Sequence, residues 1–314
     1  MDKLRKWLLA AGLGLAGALS PIVGCSEKSQ TQTLEQITEA NQKLRNFPEQ
    51  ISGAKAVRKY EVDGAKYCLV HVRQEHSKEF ENQRALETVM TKKDTERVND
   101  IQKQISYTLA ELAQKNVIDS VYLEGFSKEL WQRVMKLPLE SRMELCEIEN
   151  HYTENLKNKI EGYERELSQT IIWDLPEGYT EETFRQEINE KKKKLSEELK
   201  AYKEMYKYVE GAALRAVMER KLKPRFAENT ASILSYDKFL ETGVLGNDAY
   251  DGREDIVLEL LAEGKEPLAL TVYGSAHNFK DNIERWNALH PEMKFSLIEV
   301  DPEGIDEKQK LNKP

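Results

Sequence analysis

The sequence predicts an α/β fold: a sheet core containing parallel strands, flanked by helices, with a long inserted antiparallel helical hairpin. Three observations predict it. Short apolar runs rich in β-branched and aromatic residues alternate with amphipathic stretches near both ends of the chain. The first of these follow in the order strand, helix, strand. The middle of the chain has no such runs and keeps an apolar seam at helical spacing over two long stretches.

Lys66-Tyr67-Cys68-Leu69-Val70-His71-Val72, preceded by the turn-forming pair Asp63-Gly64, reads as a buried strand. From roughly Phe80 to Gln114, Val98, Ile101, Ile105, Leu109 and Leu112 recur at spacings of three and four, which predicts a helix. Ser120 to Gly125 is a second short strand ending in a carboxylate and a glycine. Such a unit is right-handed with parallel strands. The same grammar returns later: Arg253 to Ala262 as a helix, Pro267 to Tyr273 as a strand broken at Gly274, Asn278 to Leu289 as a helix, and Met293 to Val300 as the last strand.

Between these parts, Leu145, Tyr152, Leu156, Ile160, Tyr163, Leu167 and Ile171 hold one helical seam. Phe184, Ile188, Leu195, Leu199, Tyr202, Tyr206 and Val209 hold another, with Asp174-Leu175-Pro176-Glu177-Gly178 as the joining turn. This predicts a coiled-coil-like hairpin inserted at about residues 140–222. At about 1.5 Å per residue, its second helix alone spans roughly 40 Å. Its lysine run, Lys191 to Lys194, lies among glutamates and reads as a solvated face.

Composition narrows the function. The 314 residues are 32% charged with a mean hydropathy of −0.67, too polar for a multi-span membrane protein, yet 39% hydrophobic, too apolar for a disordered chain. A formal charge of −8 excludes a general nucleic-acid partner, because phosphate binding needs positive potential. Three cysteines exclude a disulfide framework and a Cys-rich metal site. Chemistry is left to His, Asp, Glu, Arg and Tyr.

Lys3, Arg5 and Lys6 precede an almost uncharged run from Trp7 to Val23, a secretory signal pattern. It closes on Ile22-Val23-Gly24-Cys25, which resembles the lipobox of bacterial lipoproteins. The resemblance implies a signal peptide over residues 1–24 and a lipidated Cys25 as the first mature residue, carrying acyl chains such as palmitate. The expected partner of Cys25 is therefore a membrane, and the expected location is the cell envelope, outside the cytoplasm. Loss of three basic residues and one acidic residue leaves 44 against 54, an acidic body of charge −10. Ser26 to Thr33 is wholly polar, so residues 25–33 read as lipidated Cys and tether, and 34–314 as a single domain.

In a parallel sheet, ligands bind beyond the carboxyl ends of the strands. The first strand is followed by Arg73-Gln74-Glu75-His76, the second ends at Glu124, and the late strand runs into Tyr273-Gly274-Ser275-Ala276-His277. His76, Glu124 and His277 are thus two imidazoles and one carboxylate on one rim. They suit a facial ligand set for a divalent metal with open positions. They equally suit a general acid and base around an ordered water, with Glu124 orienting one ring. His71 reads as a core residue, and His151 and His290 as structural.

With these pieces in order, the chain resembles the superfamily joining erythromycin esterases, haem-binding ChaN-type lipoproteins, TraB/PrgY pheromone-shutdown proteins and the Tiki metalloproteases. Its members carry two GxxH motifs, a glutamate after the second strand, and an arginine about two dozen residues before the second GxxH. Gly274-Ser275-Ala276-His277 is an intact second motif, Glu124 in Val121-Tyr122-Leu123-Glu124 matches the glutamate, and Arg253 in Tyr250-Asp251-Gly252-Arg253-Glu254 matches the arginine. The first motif departs from the family at Arg73, where a glycine is expected, and keeps Gln74-Glu75-His76. The resemblance covers roughly residues 55–130 and 225–300, without the hairpin.

It implies a cleft lined by His76, Glu124, Arg253 and His277 as catalytic residues. His76, Glu124 and His277 would be the metal ligands; from their place beside the motif, Tyr273 and Gly274 read as candidate ligand contacts, Tyr273 alternatively filling the strand. Arg253 would bind a carboxylate or stabilise an oxyanion. Glu228, in Arg225-Phe226-Ala227-Glu228-Asn229, reads as a packing or capping residue more than a cleft residue. The implied function is a membrane-tethered hydrolase, an esterase or metal-dependent peptidase, acting on a small molecule or peptide. One alternative is a lipoprotein that captures haem, iron or a small ligand without turnover. Another is a scaffold whose helical hairpin binds a protein partner.

Overall fold

The computed structural model describes residues 28–75, 92–147, 151–169, 175, 178, 180–208, 211–229, 249–275 and 277–305. Six strands, β1 (Ala54–Tyr60), β2 (Tyr67–Gln74), β3 (Ser120–Leu123), β4 (Lys223–Phe226), β5 (Leu268–Gly274) and β6 (Phe295–Pro302), form one sheet ordered β1-β6-β2-β5-β3-β4. Edge strand β1 is antiparallel to β6, and every other neighbour is parallel. The expected α/β class with a parallel-containing sheet is therefore the observed one.

Alternation along the strands divides the core in two, because successive side chains point to opposite faces. Cys68, Val70 and Val72 of β2 join Leu270 and Val272 of β5 and Ile298 of β6 on one face. Leu44 of helix α1 (Lys28–Asn46) and Ile101, Ile105, Leu109 and Leu112 of helix α2 (Lys92–Gln114) cover that face. Tyr67 and Leu69 of β2 join Ala269, Tyr273 and Leu297 on the other. Helices α8 (Ala249–Gly264) and α9 (Phe279–Leu289) cover it through Val257, Leu261, Phe279 and Ile283. Burial on both faces explains why β2 and β5 read as continuous apolar runs in the sequence.

The sequence missed β1, β4 and α1, each for a physical reason. β1 is an edge strand, Ala-Lys-Ala-Val-Arg-Lys-Tyr, whose lysines and arginine break any apolar run, and most of its residues are half-buried. β4 is four residues long at the opposite edge and contains Pro224, which only an edge or strand start tolerates. Helix α1 begins at Lys28, inside the segment 25–33 expected as a tether. Its apolar signal is the spacing of Ile37, Ala40 and Leu44. β2 runs two residues past its expected end, so Arg73 and Gln74 are strand residues. Gly274 pairs with Gln74 as the last residue of β5 rather than breaking it.

Between β3 and β4 lie the short helices α3 (Lys128–Val134) and α4 (Leu139–Glu144), then α5 (His151–Gln169), α6 (Glu181–Met205) and α7 (Ala212–Met218). Ser127 caps α3 by accepting the Leu130 N–H, and Thr180 and Thr183 form a reciprocal capping box on α6. Helices α5 and α6 run antiparallel in contact. Tyr152 meets Tyr202 with ring centroids 4.6 Å apart, Lys192 pairs with Glu164 at 2.8 Å, and Arg185 donates to the Leu167 carbonyl at 3.3 Å. Most of the joining turn lies outside the described residues. No helix among the described residues is long and apolar enough to cross a membrane.

The topology places the site. The chain leaves β2 and β3 over the α2 face and leaves β4 and β5 over the α8/α9 face. β5 lies between β2 and β3, so connections diverge to opposite faces on each side of it, the switch point where open α/β sheets place a ligand crevice at the carboxyl ends of their strands.

Candidate functional site

Four strand ends deliver polar side chains to that crevice: Gln74 from β2, Glu124 from β3, Glu228 from β4, and the Gly274-to-His277 turn from β5. The turn is tight, the His277 N–H donating to the Gly274 carbonyl at 3.1 Å. A Cβ at Gly274 would lie 3.3 Å from His277 Cδ2, and 3.8 Å from both His277 Nε2 and Glu124 Oε1. A side chain there would crowd the imidazole, and the same numbers place His277 and Glu124 around one point.

His277 is held from behind. Its Nδ1 lies 2.8 Å from Glu254 Oε1, and the side chains are 4% and 5% exposed. A carboxylate only accepts, so in the neutral ring Nδ1 carries the proton and Nε2, on the Gly274 side, is the unprotonated nitrogen. Glu254 Oε1 also accepts the Asn278 N–H at 3.1 Å, at the start of α9. Tyr273 packs edge-on to the imidazole, with centroids 4.5 Å apart.

Glu124 Oε2 accepts from Gln74 Nε2 at 2.8 Å and from the Gly274 N–H at 3.0 Å. Its Oε1 faces Arg253 Nη2 at 3.6 Å. Arg253 pairs more closely with Glu228, at 2.5 Å, and lies over the Tyr273 ring. Glu228 Oε1 further accepts the Tyr273 hydroxyl at 3.0 Å and the Gly125 N–H at 2.9 Å. Gly125 takes the left-handed backbone (φ 76°) that turns this N–H inward. Burial opposes the charge on Arg253, but the Tyr273 oxygen and the carboxylates of Glu228 and Glu124 outweigh it and raise the pKa above the ordinary guanidinium value. Burial, reinforced by Glu228, pushes the Tyr273 phenol well above its usual range, so it stays a donor.

These positions revise several expectations. The structure brings Glu124, Arg253, Tyr273, Gly274 and His277 together. His76, and Cys25 with residues 1–24, lie outside the described residues. Among the described residues, no group of three or more His, Cys, Asp or Glu is arranged to hold a metal. Arg253 is a buried counter-ion to Glu228 and Glu124, not an open hook for an anion. Tyr273 is fully buried and supports Arg253 and Glu228 from beneath, so its expected place as a ligand contact is corrected.

Glu228, read from sequence as packing, is central, and its signal was the unrecognised strand β4, which it follows as Glu124 follows β3. Glu254, assigned no role in the site from sequence, orients His277. Arg73, where the family's first motif has glycine, is buried. It binds Asp301 at 3.1 Å and donates to the Ser275 carbonyl at 3.1 Å, tying the β5 turn to β6. Glu75 pairs with Arg97 of α2. His71 is a core residue as expected, its Nε2 3.2 Å from the Tyr273 carbonyl.

Glu124 and Glu228 share one guanidinium, Glu254 pairs with His277, and the group is net negative while His277 is neutral. Such a field favours a cation or an uncharged polar group over an anion. Compared with protein-family profiles, with curated proteins and with solved structures, the chain has no match in any of the three.

Proposed function

We propose that the chain is a membrane-tethered hydrolase-like lipoprotein, anchored in the cell envelope through Cys25, whose crevice uses His277 as the acid/base group. One observation carries the reading: a buried carboxylate–imidazole pair, Glu254 and His277, presents Nε2 beside Glu124 at the point where the sheet's connections diverge. Glu254 fixes the tautomer and stabilises the ring when it takes a proton. Glu124 faces the same point as a second acceptor able to align a water. The GxxH turn and Glu124 at their strand ends, with Arg253 on helix α8, support the same reading from sequence.

A divalent metal is the proposed cofactor. His277 Nε2, Glu124 and His76 would hold it, with Glu254 as the outer partner that metal-bound histidines commonly have. A bound metal would supply Lewis acidity. The chain's own residues orient the imidazole, accept a proton at Nε2 and keep Arg253 and Tyr273 fixed below. The substrate class proposed is an ester or amide that is neutral or cationic near the scissile carbonyl, since the carboxylates outnumber the one guanidinium.

The test is turnover of a panel of esters, lactones and peptides by the full-length protein, with Mn²⁺ or Zn²⁺ and with chelator. His277→Ala is expected to lower kcat/KM by about 10²–10⁴-fold, the usual worth of an acid/base group, with the fold retained. Equal turnover by wild type and variant would overturn the reading.

A further inference from the structure

The strongest feature outside the reacting groups is a line of side-chain amides running from the base of the helical insertion to Glu124. The Ala212 N–H, at the first residue of α7, donates to Gln102 Oε1 at 2.9 Å. Gln102 Nε2 donates to Gln74 Oε1 at 2.9 Å, and Gln74 Nε2 donates to Glu124 Oε2 at 2.8 Å. Gln102 is 1% exposed and Gln74 6%. A backbone N–H can only donate and a carboxylate can only accept, so both amides between them have one allowed orientation. Gln102 Nε2 also reaches the Glu75 carbonyl at 3.4 Å, and Gln74 Nε2 the Val272 carbonyl at 3.4 Å, both acceptors that reject the flipped amide.

We propose that Gln74 and Gln102 are positioning residues that hold the Glu124 carboxylate in a single orientation toward His277, and that the polarity of this relay is set by the Ala212 N–H where the helical insertion returns to the sheet. The inference rests on the reading of Glu124 as a group of the site. Two contacts beside the relay tie α2 to the same return: Asn99 Nδ2 donates to the Met205 carbonyl at 3.2 Å, and Asn99 Oδ1 accepts the Tyr208 N–H at 3.1 Å. α2 thereby contacts both the returning helices and Gln74. A half-satisfied buried network costs more than an apolar core, so the relay is conserved whole or lost whole under mutation.

The test reads both ends of the relay by NMR in the full-length protein. In the first arm, Gln102→Met removes the middle amide without adding charge, and the side-chain carboxyl ¹³C resonance of Glu124 is followed, assigned with Glu124→Gln. It is expected to move by several linewidths while the Glu228 carboxyl, in the same crevice but off the relay, stays within one. In the second arm, isosteric Glu124→Gln is expected to shift the side-chain NH₂ resonances of Gln102, although Gln74 intervenes. This arm needs no core substitution, so it stands if Gln102→Met folds poorly. Either probe resonance left at its wild-type position overturns the relay. Neither arm reads turnover or metal, so failure of the hydrolytic reading is a separate outcome, reported by His277→Ala.

Discussion

Arg253→Met is expected to destabilise the protein by about 3–5 kcal/mol, the usual cost of removing one partner from a buried ion pair. Arg253 is 6% exposed and Glu228 2% exposed, and the guanidinium is the cation shared by Glu228 and Glu124. Methionine fills much of the volume, so the loss is electrostatic: a buried carboxylate retains the Tyr273 hydroxyl and the Gly125 N–H but no positive charge. Urea unfolding measures it. Adding Glu228→Gln to the Arg253→Met chain should recover at least half, because a neutral amide needs no counter-ion. A single-variant loss under about 1 kcal/mol would mean that the pair contributes no net stability.

The second large effect is on stability against pH. His71 is fully buried, and burial is the main cause of a pKa lowered from 6.5 to about 3; His277 and Arg73 push the same way, while the Tyr273 carbonyl and Glu124 oppose it. The folded state refuses a proton that the unfolded chain takes up below about pH 6.5. Stability is therefore complete above that value and lost as pH falls toward 3. Between pH 7 and pH 4 the expected loss is about 3 kcal/mol, since each pH unit inside the window is worth ~1.4 kcal/mol. Asp301 adds its own loss lower down. Burial raises its carboxyl, but Arg58 and Arg73 outweigh burial and hold the pKa below 3.8. Denaturant midpoints across this range check the effect. The neutral His71→Asn should flatten the slope between pH 6.5 and 4, whatever it does to stability at pH 7, and an unchanged slope would contradict the assignment.

Much of this architecture was legible in the sequence where burial on two faces leaves uninterrupted apolar runs, as in β2 and β5. The helices that cover them were legible through their spacing, Ile101 to Leu112 being the clearest. The edge strands were not, because solvent on one side lets Lys55, Arg58 and Lys59 into β1 and Pro224 into β4. That single gap hid Glu228, whose importance follows from standing at a strand end.

Glu254 was hidden for another reason. Arg253 and Glu254 are adjacent on a helix and point about 100° apart, so the fold sends one to Glu228 and the other to His277, a division no local pattern marks. The amide relay was beyond reach from sequence, since it joins residues 74, 102, 124 and 212 through contacts that only the sheet order creates.

The central claim is that Glu254 holds His277 with Nδ1 protonated and Nε2 the unprotonated nitrogen of the neutral ring. Histidine ¹⁵N NMR, at a pH where the ring is neutral, measures this most directly. The account predicts a protonated, pyrrole-type Nδ1 and an unprotonated, pyridine-type Nε2 for His277, with Glu254→Gln eroding that preference. A proton on Nε2, or a His277 spectrum indifferent to Glu254→Gln, would contradict it.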